Sequence, residues 1–441
     1  MEARRSVFRN GRVIDGNGGI EQGTTVAIEG DRIVAVGPDA SIESRPGDRE
    51  ISLDGRTLMP GMVQSHFHAH FDAASMSGGV PPSLGLDAAP PYLSMIAAKN
   101  ARTALHCGYT GAIGSSNAYT IDVCLKEAIL AGIVEGPRYL AGSHELVTTG
   151  EQSDYDTNRS YYMQLGNTGI TVKADGPDGW RYAARREAGR GCDVIKISAS
   201  PGHGSRGAHG EEDICYLERE ELEACVEAVH KLGKKVRAHT ASKASILECA
   251  RAGVDIIDHA DRIDDECVEA ILASGSVVVP SMLWSVRFLE FAENWDYSTG
   301  PLPISEGFPE SLEATLARVR AVREDFEYTC RAIPKAARAG VKMIVGDDYG
   351  TPVMPHGDYG AELEFYVKQL GMSPLEVITW ATKNGTEAMS LGDVTGTIEV
   401  GKKADLLIVE GDPSSDITVL SDPANLSAIL LDGRWIADRV G

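Results

Sequence analysis

The sequence lacks the patterns that define several classes of protein. None of its eight cysteines forms a CxxC pair, and no run of apolar residues is long enough for a transmembrane helix. Basic residues are in deficit, because 42 lysines and arginines stand against 64 aspartates and glutamates, a formal net charge of −22. An acidic protein repels phosphate groups, so this balance argues against nucleic acid or an anionic membrane as a partner.

The composition of the chain predicts a folded, cytoplasmic protein. Apolar residues make up 43% of the 441-residue chain and charged residues 24%, as in ordinary globular proteins. The scattered cysteines predict reduced thiols rather than a disulfide framework. The basic start of the sequence has no apolar run behind it, so we expect no signal peptide. We also expect a homo-oligomer that acts on a small-molecule substrate.

The two ends of the chain share a strand-like texture. Residues 1–60 alternate apolar and polar positions, with turn pairs of Asn or Asp and Gly between the alternating segments. Residues 392–441 repeat this texture and contain the pair Asp432-Gly433. Two all-β pieces at opposite ends of the chain predict one small β-sandwich domain built from both termini.

The middle of the chain, residues 61–391, alternates short apolar runs with helical stretches. Several of the helical stretches end in glycine before the next run, which is typical of helix C-termini. Eight βα units predict an α/β fold with a (β/α)8 barrel resembling the TIM barrel. An open doubly wound sheet is the alternative, and no GxGxxG motif follows the first run to favour it. The eight runs are residues 62–71, 109–116, 137–143, 193–200, 234–240, 254–260, 276–282 and 342–348.

Histidines and an acid gather at the ends of these runs. His66 and His68 end the first run, and they face the same side because they are two residues apart on a strand. His239 and His259 end the fifth and sixth runs, and Asp348 ends the eighth. The carboxyl ends of barrel strands form the mouth of the barrel, where active sites lie. Imidazoles and a carboxylate that meet there suit Zn²⁺, so the sequence predicts a metal centre.

Lys196 lies between two isoleucines in the fourth run. Burial favours the neutral amine, which can react with CO₂ to give a carbamate. A carbamate is an anion with two oxygens, so it is able to bridge two metal ions. The alternative is an ion pair between Lys196 and an acid across the barrel. Beside the histidines, the carbamate is the preferred interpretation.

Neighbouring strand residues face opposite ways, so only one of Asp347 and Asp348 can face the interior of the barrel. The face that ends in Asp347 is apolar and suits packing under the outer helices. The face that ends in Asp348 has the small Gly346 before it, which leaves room for metal ions. We therefore expect Asp348 to be the metal ligand and Asp347 to support it or to cap a helix.

Six segments of the chain match the motifs of one enzyme superfamily. They are LMPGMVQSHFHAHF, VIKISAS, KVRAHT, IIDHAD, VGDDYG and GTIEVGKKADLLIVEGDP. Together they resemble the amidohydrolase superfamily, and the resemblance covers nearly the whole chain. The order HxH, Lys, His, His, Asp is similar to the members with two metal ions. The segments GPRYLAGS, VIKISASPGHG and HGDYGAELEFYV resemble the branch of Xaa-Pro dipeptidases, related carboxypeptidases and ochratoxin-type amide hydrolases.

The resemblance implies a hydrolase of amide-type C–N bonds with two divalent metal ions, expected to be Zn²⁺. A hydroxide that bridges the ions would attack the scissile carbonyl, and Asp348 would carry the proton to the leaving nitrogen. The substrate could be a dipeptide, an N-acyl amino acid, an aryl amide, a carbamate or a urea. The implied ligands are His66, His68 and Asp348 for one ion, His239 and His259 for the other, and carboxylated Lys196 as the bridge.

Two other functions stay open at this point. A mononuclear deaminase of the same superfamily is disfavoured by Lys196, which the deaminases lack. A metal-free scaffold of the same fold is a non-catalytic alternative. It is disfavoured because every ligand position in this sequence is filled.

The residues expected to contact substrate carry weaker signals. Tyr216 matches a family tyrosine that contacts the substrate, which makes it a candidate catalytic residue, although a half-buried aromatic at a helix start is the alternative. His144 and His203 are expected in loops above the mouth, where they either contact substrate or are solvated. Gln152 replaces a histidine of the family's TGGHG motif, and an amide donates a hydrogen bond but carries no positive charge.

Overall fold

Parallel sheets lie at the centre of the molecule, and helices separate their strands. The predicted α/β fold class is confirmed at this level. No helix in the described ranges is both long enough and apolar enough to cross a membrane. The computed structural model describes residues 5–72, 88–151, 154, 169–202, 213–302, 311–351 and 353–440. Two predicted site residues, Gln152 and His203, lie outside the described residues.

Strands occupy both ends of the chain and alternate with helices between them. The strands are β1 (Ser6–Arg9), β2 (Arg12–Ile14), β3 (Ile20–Gln22), β4 (Thr24–Glu29), β5 (Arg32–Pro38), β6 (Arg49–Ser52), β7 (Thr57–Pro60), β8 (Met62–Phe67), β9 (Tyr109–Gly114), β10 (Arg138–Leu140), β11 (Gly142–Val147), β12 (Thr171–Lys173), β13 (Val194–Ser198), β14 (Lys235–Thr240), β15 (Ile256–His259), β16 (Val277–Val279), β17 (Leu406–Val409), β18 (Leu426–Leu431) and β19 (Arg434–Asp438). The helices are α1 (Pro90–His106), α2 (Ile121–Leu130), α3 (Gly176–Gly189), α4 (Arg219–His230), α5 (Lys243–Ala252), α6 (Asp265–Ser274), α7 (Leu283–Asn294), α8 (Leu312–Arg338), α9 (Gly360–Lys368), α10 (Pro374–Thr379) and α11 (Gly385–Ala388).

The terminal segments of the chain form two sheets together. One sheet has the strand order β5-β4-β1-β6, and the other, β19-β18-β17-β7-β2-β3, joins strands from both ends of the chain. Asp432 and Gly433, between β18 and β19, have φ angles of 52° and 68°, as a type I′ hairpin turn requires. Buried side chains from both ends, among them Phe8 and Leu406, pack in one cluster.

The parallel sheets have the orders β10-β9-β8 and β12-β11-β13-β14-β15-β16. Seven of the eight predicted apolar runs contain one of these strands. The helices between them begin and end at residues suited to those positions. Ser242 and Asp264 accept hydrogen bonds in the first turns of α5 and α6, and Gly253 and Gly275 end the same helices in the left-handed conformation.

The eighth predicted run forms a single bridge, between Met343 and Val278, rather than a strand. Its partner β16 is short, because Pro280 follows Val279 and has no N–H to extend the ladder. The segment nevertheless forms backbone hydrogen bonds with a strand on each side, β16 and β8. Val278 N donates to the carbonyl of Lys342 at 3.0 Å, and Ser65 N of β8 donates to the carbonyl of Val345 at 2.9 Å.

Apolar residues on the two faces of the parallel strands pack in two different clusters. Ile344 packs in the smaller cluster, whereas its neighbours Met343 and Val345 pack in the large cluster that includes the helices. This alternation along the eighth run is the one that the sequence predicts. The buried strand residues of the smaller cluster are Val63, Ile113, Val194, Ile256, Val277 and Val279, and Leu140 packs against them.

Arg138 of β10 joins the parallel strands to the terminal sheets. Its guanidinium donates to both carboxylate oxygens of Asp405, at 2.8 and 3.0 Å, and to Asp432 at 2.7 Å. The side chain of Asp405 is only 1% exposed, so Arg138 supplies the charge that compensates this buried carboxylate.

We expect Arg138→Leu to lower the free energy of unfolding by about 2–3 kcal/mol, because it leaves the buried Asp405 without its cation. Urea unfolding measures this loss. Arg102→Leu is the matched control, since Arg102 pairs with Glu135 at the exposed surface, and a change below about 1 kcal/mol is expected there. Equal losses in the two variants would contradict the role assigned to Arg138.

Candidate metal centre

The two histidines of the HxH motif lie buried at the carboxyl end of β8. His66 Nδ1 contacts Ser281 Oγ at 3.2 Å, and that hydroxyl donates to the carbonyl of Gly346 at 2.9 Å. His68 Nδ1 contacts the carbonyl of Ser116 at 3.3 Å. Because a carbonyl only accepts hydrogen bonds, each Nδ1 carries a proton, which leaves Nε2 as the atom of each ring that can bind a metal ion.

Asp348 meets these two lone pairs. Its Oδ1 lies 3.1 Å from His66 Nε2 and 3.3 Å from His68 Nε2. Burial lowers the pKa of His66 well below its usual value, so this imidazole is neutral at pH 7. A carboxylate oxygen and two imidazole nitrogens that are able to accept therefore converge on one point. Such atoms repel one another unless a cation lies among them.

The donor set fits a divalent metal ion. Two imidazoles and a carboxylate are ligands that Zn²⁺ takes in proteins, and their ligand atoms lie within 4.8 Å of one another. Across the described part of the chain, no other group of three such side chains is close enough to share an ion. The structure thus brings together one complete set of the predicted ligands.

His239 and His259 form a second pair of imidazoles beside the first. Their ring centroids are 4.5 Å apart, and the His259 ring lies 5.5 Å from that of His66. Burial lowers the pKa of His239 to about 4 and that of His259 to about 3, so both rings are neutral at pH 7. The Nε2 of His239 is buried and has no hydrogen-bond partner among the described residues. This unsatisfied nitrogen also suits a metal ion.

His259 joins this group through an unusual backbone conformation. His239 is in register with Asp258 on the adjacent strand, so Asp258 faces the same side as His239. On a regular strand the next residue, His259, would face the opposite side. His259 and Ala260 instead have φ angles of 66° and 55°, in the left-handed region that residues with a side chain rarely adopt. This conformation turns the His259 ring toward the other histidines.

Lys196 forms an ion pair, which is the alternative that the sequence left open. Its Nζ donates to Asp258 Oδ2 at 2.6 Å, and the residue is 3% exposed. The same carboxylate accepts hydrogen bonds from Arg237 Nη2 at 2.6 Å and Arg237 Nε at 3.1 Å. Neither Arg237 nor Asp258 is a predicted site residue, although the register of β13, β14 and β15 places both on the side of His239.

Asp347 faces away from the histidines. It is buried and accepts hydrogen bonds from the backbone N–H groups of Leu283 at 2.7 Å and Trp284 at 3.2 Å, at the start of α7. Gly346 lies before it because a Cβ there would stand 2.3 Å from the backbone nitrogen of His66. Asp347 therefore caps a helix, while Asp348 lies with the histidines.

His144 does not lie in a loop above the mouth, as the sequence analysis expected. It is buried within β11, and its Nδ1 contacts Glu187 of α3 at 2.7 Å. The expectation is wrong because the strand continues past Ser143 to Val147, where it pairs with β12 and β13. His144 thus faces the helix layer rather than the metal centre.

Tyr216 lies close to the carboxyl end of β13. Its backbone N–H donates to the carbonyl of Ala199 at 2.8 Å, and its ring is half-buried against the main apolar cluster. Gln152 and His203 belong to the undescribed part of the chain, so their roles stay predictions.

The geometry of this site agrees with the protein family to which the chain is similar. Residues 57–436 match the model described as the amidohydrolase family. The chain belongs to the amidohydrolase family. The resemblance inferred from the sequence motifs is confirmed, and membership of the family supports a hydrolase that acts on C–N bonds.

Two proteins similar to this amidohydrolase cover nearly all of its length. Ochratoxinase from Aspergillus niger is 27% identical over 448 residues, which cover 98% of this chain and 87% of the relative. The crystal structure of the A. niger ochratoxinase has a TM-score of 0.82 at 25% identity, and the match covers 99% of this chain and 96% of that one. The crystal structure of a Xaa-Pro dipeptidase with bound methionine in its active site has a TM-score of 0.82 at 24% identity. The match covers 98% of this chain and 100% of the dipeptidase chain, and at this identity it is evidence of a shared fold only.

Asp348→Asn should lower kcat by about 10³-fold or more, because it would remove the charge of a predicted metal ligand and the predicted proton carrier. Asp347→Asn should keep kcat within about tenfold and lower the free energy of unfolding by about 1 kcal/mol, since the amide oxygen still accepts from the start of α7 but the amide nitrogen cannot accept the hydrogen bond from Asp348 N. Steady-state kinetics on metal-loaded variants and urea unfolding make the comparison. The reverse ranking in kcat would show that Asp347, not Asp348, serves the site.

Proposed function

We propose that this amidohydrolase is a metal-dependent hydrolase that cleaves an amide-type C–N bond of a small molecule. The observation that carries the proposal is the convergence of His66 Nε2, His68 Nε2 and Asp348 Oδ1, which need a cation among them. Family membership and the likeness to ochratoxinase support the reaction class. The candidate substrates are a dipeptide, an N-acyl amino acid, an aryl amide, a carbamate or a urea.

The proposed centre holds two divalent ions, with Zn²⁺ as the expected metal. The neutral state of the imidazoles and the unsatisfied Nε2 of His239 support this occupancy. When bound, such ions polarise a carbonyl group and lower the pKa of a water molecule. The first ion would be held by His66, His68 and Asp348, the second by His239 and His259, and both by carboxylated Lys196.

Asp348 and Tyr216 are the residues proposed to act on substrate. The side chain of Asp348 is 24% exposed, so a substrate can reach the carboxylate that faces the histidines. Asp348 would accept a proton from the attacking water and return it to the leaving nitrogen, as a general base and then a general acid. The hydroxyl of Tyr216 would donate a hydrogen bond to a carbonyl or carboxylate of the substrate.

We further propose that the parallel strands close into a (β/α)8 barrel. The hydrogen bonds of residues 342–345 to both β8 and β16 support closure, since they join an end of one parallel sheet to an end of the other. The apolar cluster shared by the terminal sheets supports a β-sandwich domain of residues 1–60 and 392–441 beside a barrel of residues 61–391. Cytoplasmic location and a homo-oligomeric state stay predictions.

A mononuclear deaminase is the second candidate function, because one observation favours it. Lys196 Nζ donates to Asp258 Oδ2, and the described residues contain a single group of three ligand side chains close enough to share an ion. Such an enzyme would bind one ion and release ammonia from its substrate. Metal stoichiometry and the identity of the released product distinguish it from the proposed hydrolase.

The proposed function predicts two Zn²⁺ ions per chain and hydrolysis of an amide substrate. Purified protein prepared with Zn²⁺ and bicarbonate is analysed for metal and assayed against dipeptides, N-acyl amino acids, aryl amides, carbamates and ureas. Release of a free amine, abolished by a chelator and restored by Zn²⁺, is the expected result. One ion per chain together with ammonia release would favour the deaminase instead.

Lys196 is expected to carry a carbamate in the active enzyme. Its neutral Nζ would form a bond to the carbon of CO₂ and release one proton, and protein prepared with ¹³C-bicarbonate should show a carbamate signal by NMR. Lys196→Ala should lose that signal and at least one metal ion. Lys342→Ala, at an exposed lysine, is the control and should keep both. Wild-type activity in Lys196→Ala would show that the lysine serves only the ion pair.

A further inference from the structure

Ser281 lies directly behind the first group of predicted ligands. It follows β16, is 5% exposed, and contacts two groups of the site with its hydroxyl. His66 Nδ1 lies 3.2 Å from Ser281 Oγ, and Ser281 Oγ donates to the carbonyl of Gly346 at 2.9 Å. One side chain thus joins β8 to the segment that carries Asp348.

The hydrogen-bond directions at Ser281 are determined by its partners. The carbonyl of Gly346 can only accept, so the single proton of the hydroxyl points to it. Ser281 Oγ then offers a lone pair to His66, which must hold its proton on Nδ1. The lone pair of His66 Nε2 is thereby directed to Asp348 Oδ1, 3.1 Å away.

The backbone of Ser281 is also unusual. Its φ of 49° lies in the left-handed region, which glycine adopts without strain and serine does not. Strained residues of this kind persist where the surrounding structure imposes them, often at functional sites. Glycine would relieve the strain here, but it would remove the hydroxyl that contacts His66.

We infer that Ser281 is a positioning residue for the metal centre, which selects the Nδ1-protonated form of His66 and sets its distance from Asp348. The inference rests on the proposed function, because it requires that His66 binds a metal ion. Loss of a group that orients a ligand histidine typically weakens metal binding about 10- to 100-fold. Ser281 would therefore act on affinity without touching the metal ion or the substrate.

Two variants of Ser281 separate this role from a purely structural one. Ser281→Ala removes the hydroxyl, and Ser281→Gly removes the hydroxyl and the backbone strain together. Both should bind Zn²⁺ about 10- to 100-fold more weakly than the wild type in competition with a chelator. The metal-free Ser281→Gly protein should nevertheless unfold at a higher urea concentration than the metal-free Ser281→Ala protein. Weaker metal binding in the more stable variant is not expected of a merely structural serine.

Ser276 provides the matched control at the other end of β16. It is also 5% exposed, and its hydroxyl donates to a backbone carbonyl, that of Val254, at 2.6 Å. Ser276→Ala should bind Zn²⁺ as tightly as the wild type. Unchanged affinity in both Ser281 variants, with a wild type that binds Zn²⁺, would overturn this inference alone. A wild type that binds no Zn²⁺ would overturn the proposed function and the inference with it.

Discussion

The buried ion pair between Arg237 and Asp258 is the interaction on which the rest of the site depends. Both side chains are fully buried, and the guanidinium also donates to the carbonyls of Ser65 at 2.9 Å and Gly114 at 3.1 Å. A single side chain of β14 therefore joins β8, β9 and β15. Breaking such a pair leaves a buried charge uncompensated at a cost of several kcal/mol, so these strand ends are held in one arrangement.

The same pair sets the charge next to the predicted metal ligands. Burial alone would raise the pKa of Asp258, but Arg237 and Lys196 hold it well below its usual range, and the carboxylate stays ionised. With Lys196 as an ammonium, two cations surround one anion. The proposed carbamate would replace the cation at Lys196 by an anion. A negative charge at that position would favour the binding of metal ions by the neighbouring histidines. Arg237 keeps Asp258 paired in either state.

Local sequence patterns predict the parts of the site that depend on a single strand. The alternation in residues 342–348 separates Asp347 from Asp348 in the sense that the structure shows. The contacts between strands are not visible in any one run. Nothing near Arg237 or Asp258 in the sequence indicates that they pair, or that Lys196 joins them. The position of His144 is hidden from the local pattern for the same reason, because pairing with β12 and β13 extends its strand.

Neighbouring residues at a strand end serve this site in two different ways. Asp347 and Asp348 keep the regular alternation, so one caps α7 and the other joins the histidines. Asp258 and His259 both belong to the site, which a regular strand forbids, and the left-handed φ of His259 resolves the conflict. Strain of this kind costs on the order of 1–3 kcal/mol and persists only where the surroundings impose it. Asp258, held by Arg237, is the residue immediately before the strained one. Ala260 N, on the other side of His259, donates to the carbonyls of Asp258 and Thr240, both at 2.9 Å, so fixed backbone on either side of His259 supports the conformation that brings its ring to the other imidazoles.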